Sequence, residues 1–179
     1  MAIIQNHLNT DNSPWYDIME ERAVVWNKFA LDNNLDIEGY YNANIVTFEI
    51  ENRKLNLFGI RQVSNVTSLS IFSVGSISEE LNISYETPIK IKSRYIRIRK
   101  NRIWNFLRTR LKYKMIYNNY FVTYNNKAEF ENLKNLGLFD FKNLVKLTID
   151  KNGVKLVLYE LPENSKIVDS FLKFCNNLT

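Results

Sequence analysis

Apolar and polar residues alternate with period two over residues 35–74, 89–98, 117–124 and 147–160, and segments of period 3.6 interrupt them. The first such segment holds Trp15, Ile18, Met19, Arg22, Trp26, Phe29 and Ala30 near one helical face. Ser13 before Pro14 supplies an N-cap and a first helical residue, and Asp17 suits the positive end of the helix dipole. A helix over 14–33 is expected, with Arg22 snorkelling at the edge of its apolar face. Residues 1–12 read as a polar lead-in.

Strands follow at 36–41 and 44–51, where Val46, Phe48 and Ile50 alternate with Thr47, Glu49 and Glu51. Leu55, Leu57 and Ile60 mark a third strand, with a bulge expected at Gly59. Leu69 and Ile71 mark a fourth. Residues 75–87 read as a polar connection containing one helical turn begun by Ser78. Ile89 and Ile91, then Ile96 and Ile98, alternate with basic residues, and the phase slips by one between the pairs. Residues 101–112 predict a short amphipathic helix with Ile103, Trp104, Phe106, Leu107 and Leu111 on one side.

Residues 117–124 return to a single strand. Asn126 with Glu129 forms a capping-box pattern, Phe130, Leu133 and Leu136 make an apolar stripe, and Gly137 ends that helix. A second short helix over 139–146 is expected next. A hairpin about Asp150-Lys151-Asn152-Gly153 and a closing helix from Asn164-Ser165 complete the chain.

These segments specify an α+β fold: a mainly antiparallel sheet with helices packed on one face, as a single domain over 13–179. The expected core is Trp26, Phe29, Phe48, Leu57, Ile71, Phe121, Phe130, Leu133, Leu156, Leu158, Phe171 and Phe174. A length of 179 residues, 45% of them hydrophobic, suits one such core. Without a basic, apolar leader or a spanning apolar run, a cytoplasmic location is expected.

Charge changes the picture. Residues 88–128 contain 12 of the 24 Lys and Arg residues and none of the 19 acidic ones, although the whole chain carries only +5. Aromatic residues accompany the charge. Arg94, Tyr95, Arg97, Arg99, Arg102, Trp104, Arg108, Arg110 and Lys112 are therefore the candidate partner-binding residues. The plainest reading of the stretch is a solvated face on edge strands, where Lys and Arg resist aggregation. The functional reading is a non-catalytic binding or adaptor protein that steers an acidic protein partner onto residues 90–114. Nucleic acid is the first alternative, although no sequence-reading motif is present. An anionic membrane surface, met by the Trp104 helix, is the second.

Catalytic chemistry finds little purchase. One histidine, His7, and one cysteine, Cys175, leave no zinc cluster and no Cys–His pair at recognisable spacing. The five glycines lie too far apart for a phosphate loop, and no cofactor is indicated. Asp36, Glu38, Glu49 and Glu51, with Lys54 nearby, are the carboxylates a metal-dependent nuclease would need. Glu49 and Glu51 share strand parity, but no carboxylate-x-lysine strand motif accompanies them.

Overall fold

The computed structural model describes residues 2–6, 15–64, 76–89, 95–100, 115–117, 120–124, 126–137, 141 and 143–178. The chain is α+β, with its strands mostly antiparallel. It divides into two compact units, residues 1–82 with 159–166 and residues 83–158 with 167–179. Three helices are present among the described residues, and none is long and apolar enough to cross a membrane.

The first unit is a sheet in the order β1 (Ile3–Gln5), β2 (Ile37–Tyr41), β3 (Ile45–Glu51), β4 (Leu55–Ser64) and β5 (Ser76–Glu86), the last strand continuing into the second unit. Helix α1 (Tyr16–Asp32) packs against β1, β2 and β3. The lead-in is thus partly a strand, parallel to β2. The Asn27 side chain of α1 holds it as a second peptide group would. Its Oδ1 accepts from Ile3 N at 2.8 Å, and its Nδ2 donates to Ile3 O at 3.1 Å. Three residues are too few to show a period, so pattern alone could not reveal β1.

Trp26 is fully buried and stacks on Phe48 with ring centroids 4.7 Å apart. Gly59 sits directly opposite Phe48 in regular register, so the expected bulge is not there. The glycine serves the packing instead: a Cβ at this position would overlap Phe48 Cε1 and Cζ. Arg22 is another correction. It is 93% buried rather than snorkelling at an edge, and its Nη2 donates to Glu163 Oε1 at 3.1 Å.

Residues 76–86 form strand β5, not the expected polar connection. Leu81 and Ile83 are buried, and Glu79 turns inward to accept from Arg61 of β4 and from the Leu161 backbone N–H. Polar letters in this stretch disguised a strand because one carboxylate is spent inside the protein.

The second unit orders its strands β9 (Gly153–Leu158), β8 (Leu144–Asp150), β6 (Tyr95–Lys100), β7b and β7a, the last two being Tyr120–Thr123 and Met115–Tyr117. Met115–Tyr117 and Tyr120–Thr123 thus pair as two antiparallel strands, with Tyr117 opposite Tyr120, where a single strand was expected. The end of the helix expected over 139–146 is also overturned, its residues 139, 140 and 142 lying outside the described residues. Asn143 adopts φ 56°, and β8 begins at Leu144. An asparagine in the left-handed region breaks a helix and launches the strand.

Helix α2 (Lys127–Asn135) starts as its sequence predicts: Asn126 Oδ1 accepts from Ala128 N at 3.0 Å and Glu129 N at 3.4 Å. Gly137 follows it with φ 83°. Helix α3 (Lys166–Asn176) buries Val168, Phe171, Phe174 and Cys175. Phe141 meets the rings of Phe171 and Phe174 edge-on, with centroids 6.5 and 5.8 Å away. Every expected core residue is buried except Ile71, which lies outside the described residues together with the strand expected around it. Ser13, Pro14 and the helix expected over 101–112 lie outside them too.

Candidate functional site: a cationic sheet face

Strand β6 is the centre of the candidate site. The sequence allowed it to be an edge strand, but β6 has hydrogen-bonded neighbours on both sides. Its Ile96 and Ile98 are fully buried, so its other parity, Tyr95, Arg97 and Arg99, belongs to the opposite face. Cross-strand register then decides what surrounds these residues.

Arg97 stands opposite Thr123 of β7b and Thr148 of β8, and Thr148 stands opposite Lys155 of β9. One step along, Arg99 is opposite Phe121 and Lys146, and Lys146 is opposite Val157. Tyr95 is opposite Asp150, whose Oδ1 accepts from the Asn152 N–H in the hairpin turn. The sheet therefore gathers Arg97, Arg99, Lys146 and Lys155 onto one face of three adjacent strands. Among the described residues, none of these four cations is paired with a carboxylate.

Burial sharpens the arrangement. Arg97, Lys146 and Thr148 are half-buried, whereas Arg99 and Lys155 are exposed. The Arg97 guanidinium lies 5.3 Å from the Tyr95 ring centroid, within cation–π range. Its Nε is buried without a hydrogen-bond partner, and so is Thr148 Oγ1. Burial lowers the Lys146 pKa from the ordinary lysine value, and the nearby positive charges of Arg99, Arg97 and Lys155 lower it further. Like charges opposite one another in a sheet are mutually destabilising, by a few tenths of a kcal/mol to about 1 kcal/mol. Such a face concentrates positive potential at the surface.

Of the residues singled out from the sequence, Tyr95, Arg97 and Arg99 come together here. Arg94, Arg102, Trp104, Arg108, Arg110 and Lys112 lie outside the described residues. Sequence reasoning missed Lys146, Thr148 and Lys155. The alternation Leu147-Thr148-Ile149 and Val154-Lys155-Leu156 carried a signal for two of them. Lys146 was hidden in the segment read as helical.

The carboxylates of the nuclease reading also share a surface. Asp36, Glu38, Glu49 and Glu51 line a cleft of about 260 Å³, and Glu38 stands directly opposite Glu49. Among the described residues, no group of three or more His, Cys, Asp or Glu side chains could hold a metal ion.

Cys175 is fully buried, and burial pushes its thiol up to about 12. Only the thiolate is an effective nucleophile. Iodoacetamide at mildly alkaline pH is therefore expected to leave the folded protein unmodified, with full alkylation once urea exposes the thiol. Mass spectrometry distinguishes the two. Rapid labelling of the native protein contradicts the buried placement.

Comparison with known proteins finds no matching family model, no matching curated protein and no matching solved structure.

Proposed function

We propose that this protein is a non-catalytic cytoplasmic binding protein that engages an acidic protein partner through the cationic face of β6, β8 and β9. The observation that carries the reading is the gathering of Arg97, Arg99, Lys146 and Lys155 on adjacent strands without a carboxylate partner among the described residues. Charge of one sign concentrated on a surface steers association and selects partners of complementary potential. Tyr95 adds an aromatic contact beside Arg97, and aromatic and Arg side chains are the usual anchors of protein interfaces. Arg94, Arg102, Trp104, Arg108, Arg110 and Lys112 extend the same basic, aromatic composition along the chain. In this reading Arg97, Arg99, Lys146 and Lys155 are left to the partner.

The test is titration of an oligoglutamate peptide, single-stranded DNA and phosphatidylserine vesicles against the wild type and Arg97→Glu/Arg99→Glu. Peptide binding is expected to weaken tenfold or more in the variant, since about 1.4 kcal/mol corresponds to a factor of ten. Circular dichroism establishes that the variant stays folded. Unchanged peptide binding overturns the proposal. So does a wild type that ignores the peptide and binds DNA with an affinity falling steeply with salt, or one that binds only vesicles.

A further inference from the structure

Arg97, Thr148 and Lys146 form, we propose, a subsite for a phosphoryl group carried on the acidic partner, such as a phosphoserine side chain. The inference rests on the reading of the cationic face as a partner-binding surface, and it names the group that surface selects.

Two observations argue for phosphoryl over carboxylate. The first is the donor set. Arg97 Nε and Thr148 Oγ1 belong to residues directly opposite each other on β6 and β8, and both atoms are buried without a hydrogen-bond partner. Both atoms are covered from solvent, so a phosphoryl group reaches them only by displacing what covers them; leaving such a donor unmade costs about 1–3 kcal/mol, which that contact would recover. Lys146 lies one register step away on the same face of β8, directly opposite Arg99. Directly opposed residues have Cβ atoms about 5 Å apart and diagonal neighbours about 7–8 Å apart, within reach of one ligand group for long side chains. Three donors of different kinds meet a group with three strong acceptor oxygens better than a carboxylate with two.

The second observation is charge. Four cations share the face, and the half-buried Lys146 has its positive form disfavoured by burial and by its basic neighbours. One carboxylate returns a single negative charge to this cluster. A phosphate monoester returns about −1.5 to −2. Asp150, the carboxylate in register with Tyr95, is engaged by the hairpin turn through Asn152 N at 2.9 Å. The Arg97 guanidinium, held beside the Tyr95 ring, keeps a planar fork suited to phosphate oxygens.

The threonine offers a way to separate binding from folding. Its hydroxyl has no partner in the free protein, so Thr148→Val is expected to keep or raise the thermal midpoint while losing a phosphate contact.

The experiment is isothermal titration with three peptides that differ at one position flanked by glutamates: phosphoserine, glutamate or serine. Vesicles containing a phosphoinositide with a monoester headgroup form a further arm. The wild type is expected to bind the phosphoserine peptide at least tenfold more tightly than the glutamate peptide. Thr148→Val is expected to reduce that preference to within about threefold, with glutamate-peptide binding little changed; Arg97→Lys is expected to reduce the preference equally while weakening both peptides, and the factor of ten is about 1.4 kcal/mol. Lys146→Gln serves as a second route to the same loss if either variant melts early.

Equal wild-type affinity for the phosphoserine and glutamate peptides, both lost on Arg97→Glu/Arg99→Glu, overturns the phosphoryl subsite and leaves the acidic-partner reading standing. A preference that survives Thr148→Val and Lys146→Gln also overturns it. Binding to phosphoinositide vesicles without binding to the phosphopeptide overturns the assignment to a protein partner. Failure of every acidic peptide to bind overturns both readings.

Discussion

Replacing Glu79 with alanine is expected to destabilise the protein by about 3–5 kcal/mol, the cost of breaking a buried ion pair by removing one partner. Glu79 lies on β5 and pairs with Arg61 on β4; their side chains are only 18% and 11% exposed. Its second oxygen accepts from Leu161 N at 3.2 Å, tying the 159–166 segment to the sheet of the same unit. Without the carboxylate, the Arg61 cation remains in a largely dry environment, and its Nε already lacks a hydrogen-bond partner. The loss is a large share of the 5–15 kcal/mol typical of a whole protein. Urea denaturation followed by circular dichroism reads it as a lower midpoint. The double variant Arg61→Met/Glu79→Leu should lose much less, because an apolar pair of similar volume leaves no charge stranded. A Glu79→Ala change below about 1 kcal/mol, the range of an exposed ion pair, contradicts this account.

Trp26→Ala is expected to cost about 3–5 kcal/mol, the range for truncating a large buried aromatic side chain. The ring is fully buried between Phe48, stacked 4.7 Å away, and Phe29, edge-on at 5.8 Å. Alanine would leave a void against the face of the Phe48 ring. Trp26→Phe provides the contrast. The indole Nε1 is buried without a hydrogen-bond partner, and phenylalanine removes that donor along with part of the ring. Relief of an unmade hydrogen bond, about 1–3 kcal/mol, offsets lost packing of similar size. The conservative variant should therefore retain most of the stability that the alanine variant loses. Equal losses in the two would show that the indole N–H is satisfied in solution.

The chemistry of this protein is a matter of where its charges are allowed to accumulate. Unit one places Asp36, Glu38, Glu49 and Glu51 around one cleft, and unit two places Arg97, Arg99, Lys146 and Lys155 on one sheet face. Neither set improves folding through its mutual repulsion. The proposed function assigns the cationic set to a partner, and the proposed phosphoryl subsite would add selectivity through Thr148.

The local sequence determined those features whose physical cause is local. Alternation predicted β2, β3 and the β8–β9 hairpin. The 3.6-residue period predicted α1, and the Asn126 side chain together with Gly137 bounded α2 through capping and a left-handed stop. Burial of the predicted core followed from the same patterns, because a face that is consistently apolar has one place to go. The basic character of residues 88–128 was likewise plain in composition. Only tertiary structure decided which strands became neighbours. Pairing of β6 with β8 joins residues far apart in the chain, and no local propensity encodes that choice. It is this pairing that sets Arg97 opposite Thr148 and Arg99 opposite Lys146, gathering basic residues from distant parts of the chain onto one face. The same reason accounts for Glu79, whose polar letter belongs inside the protein because Arg61, on another strand, is there to receive it.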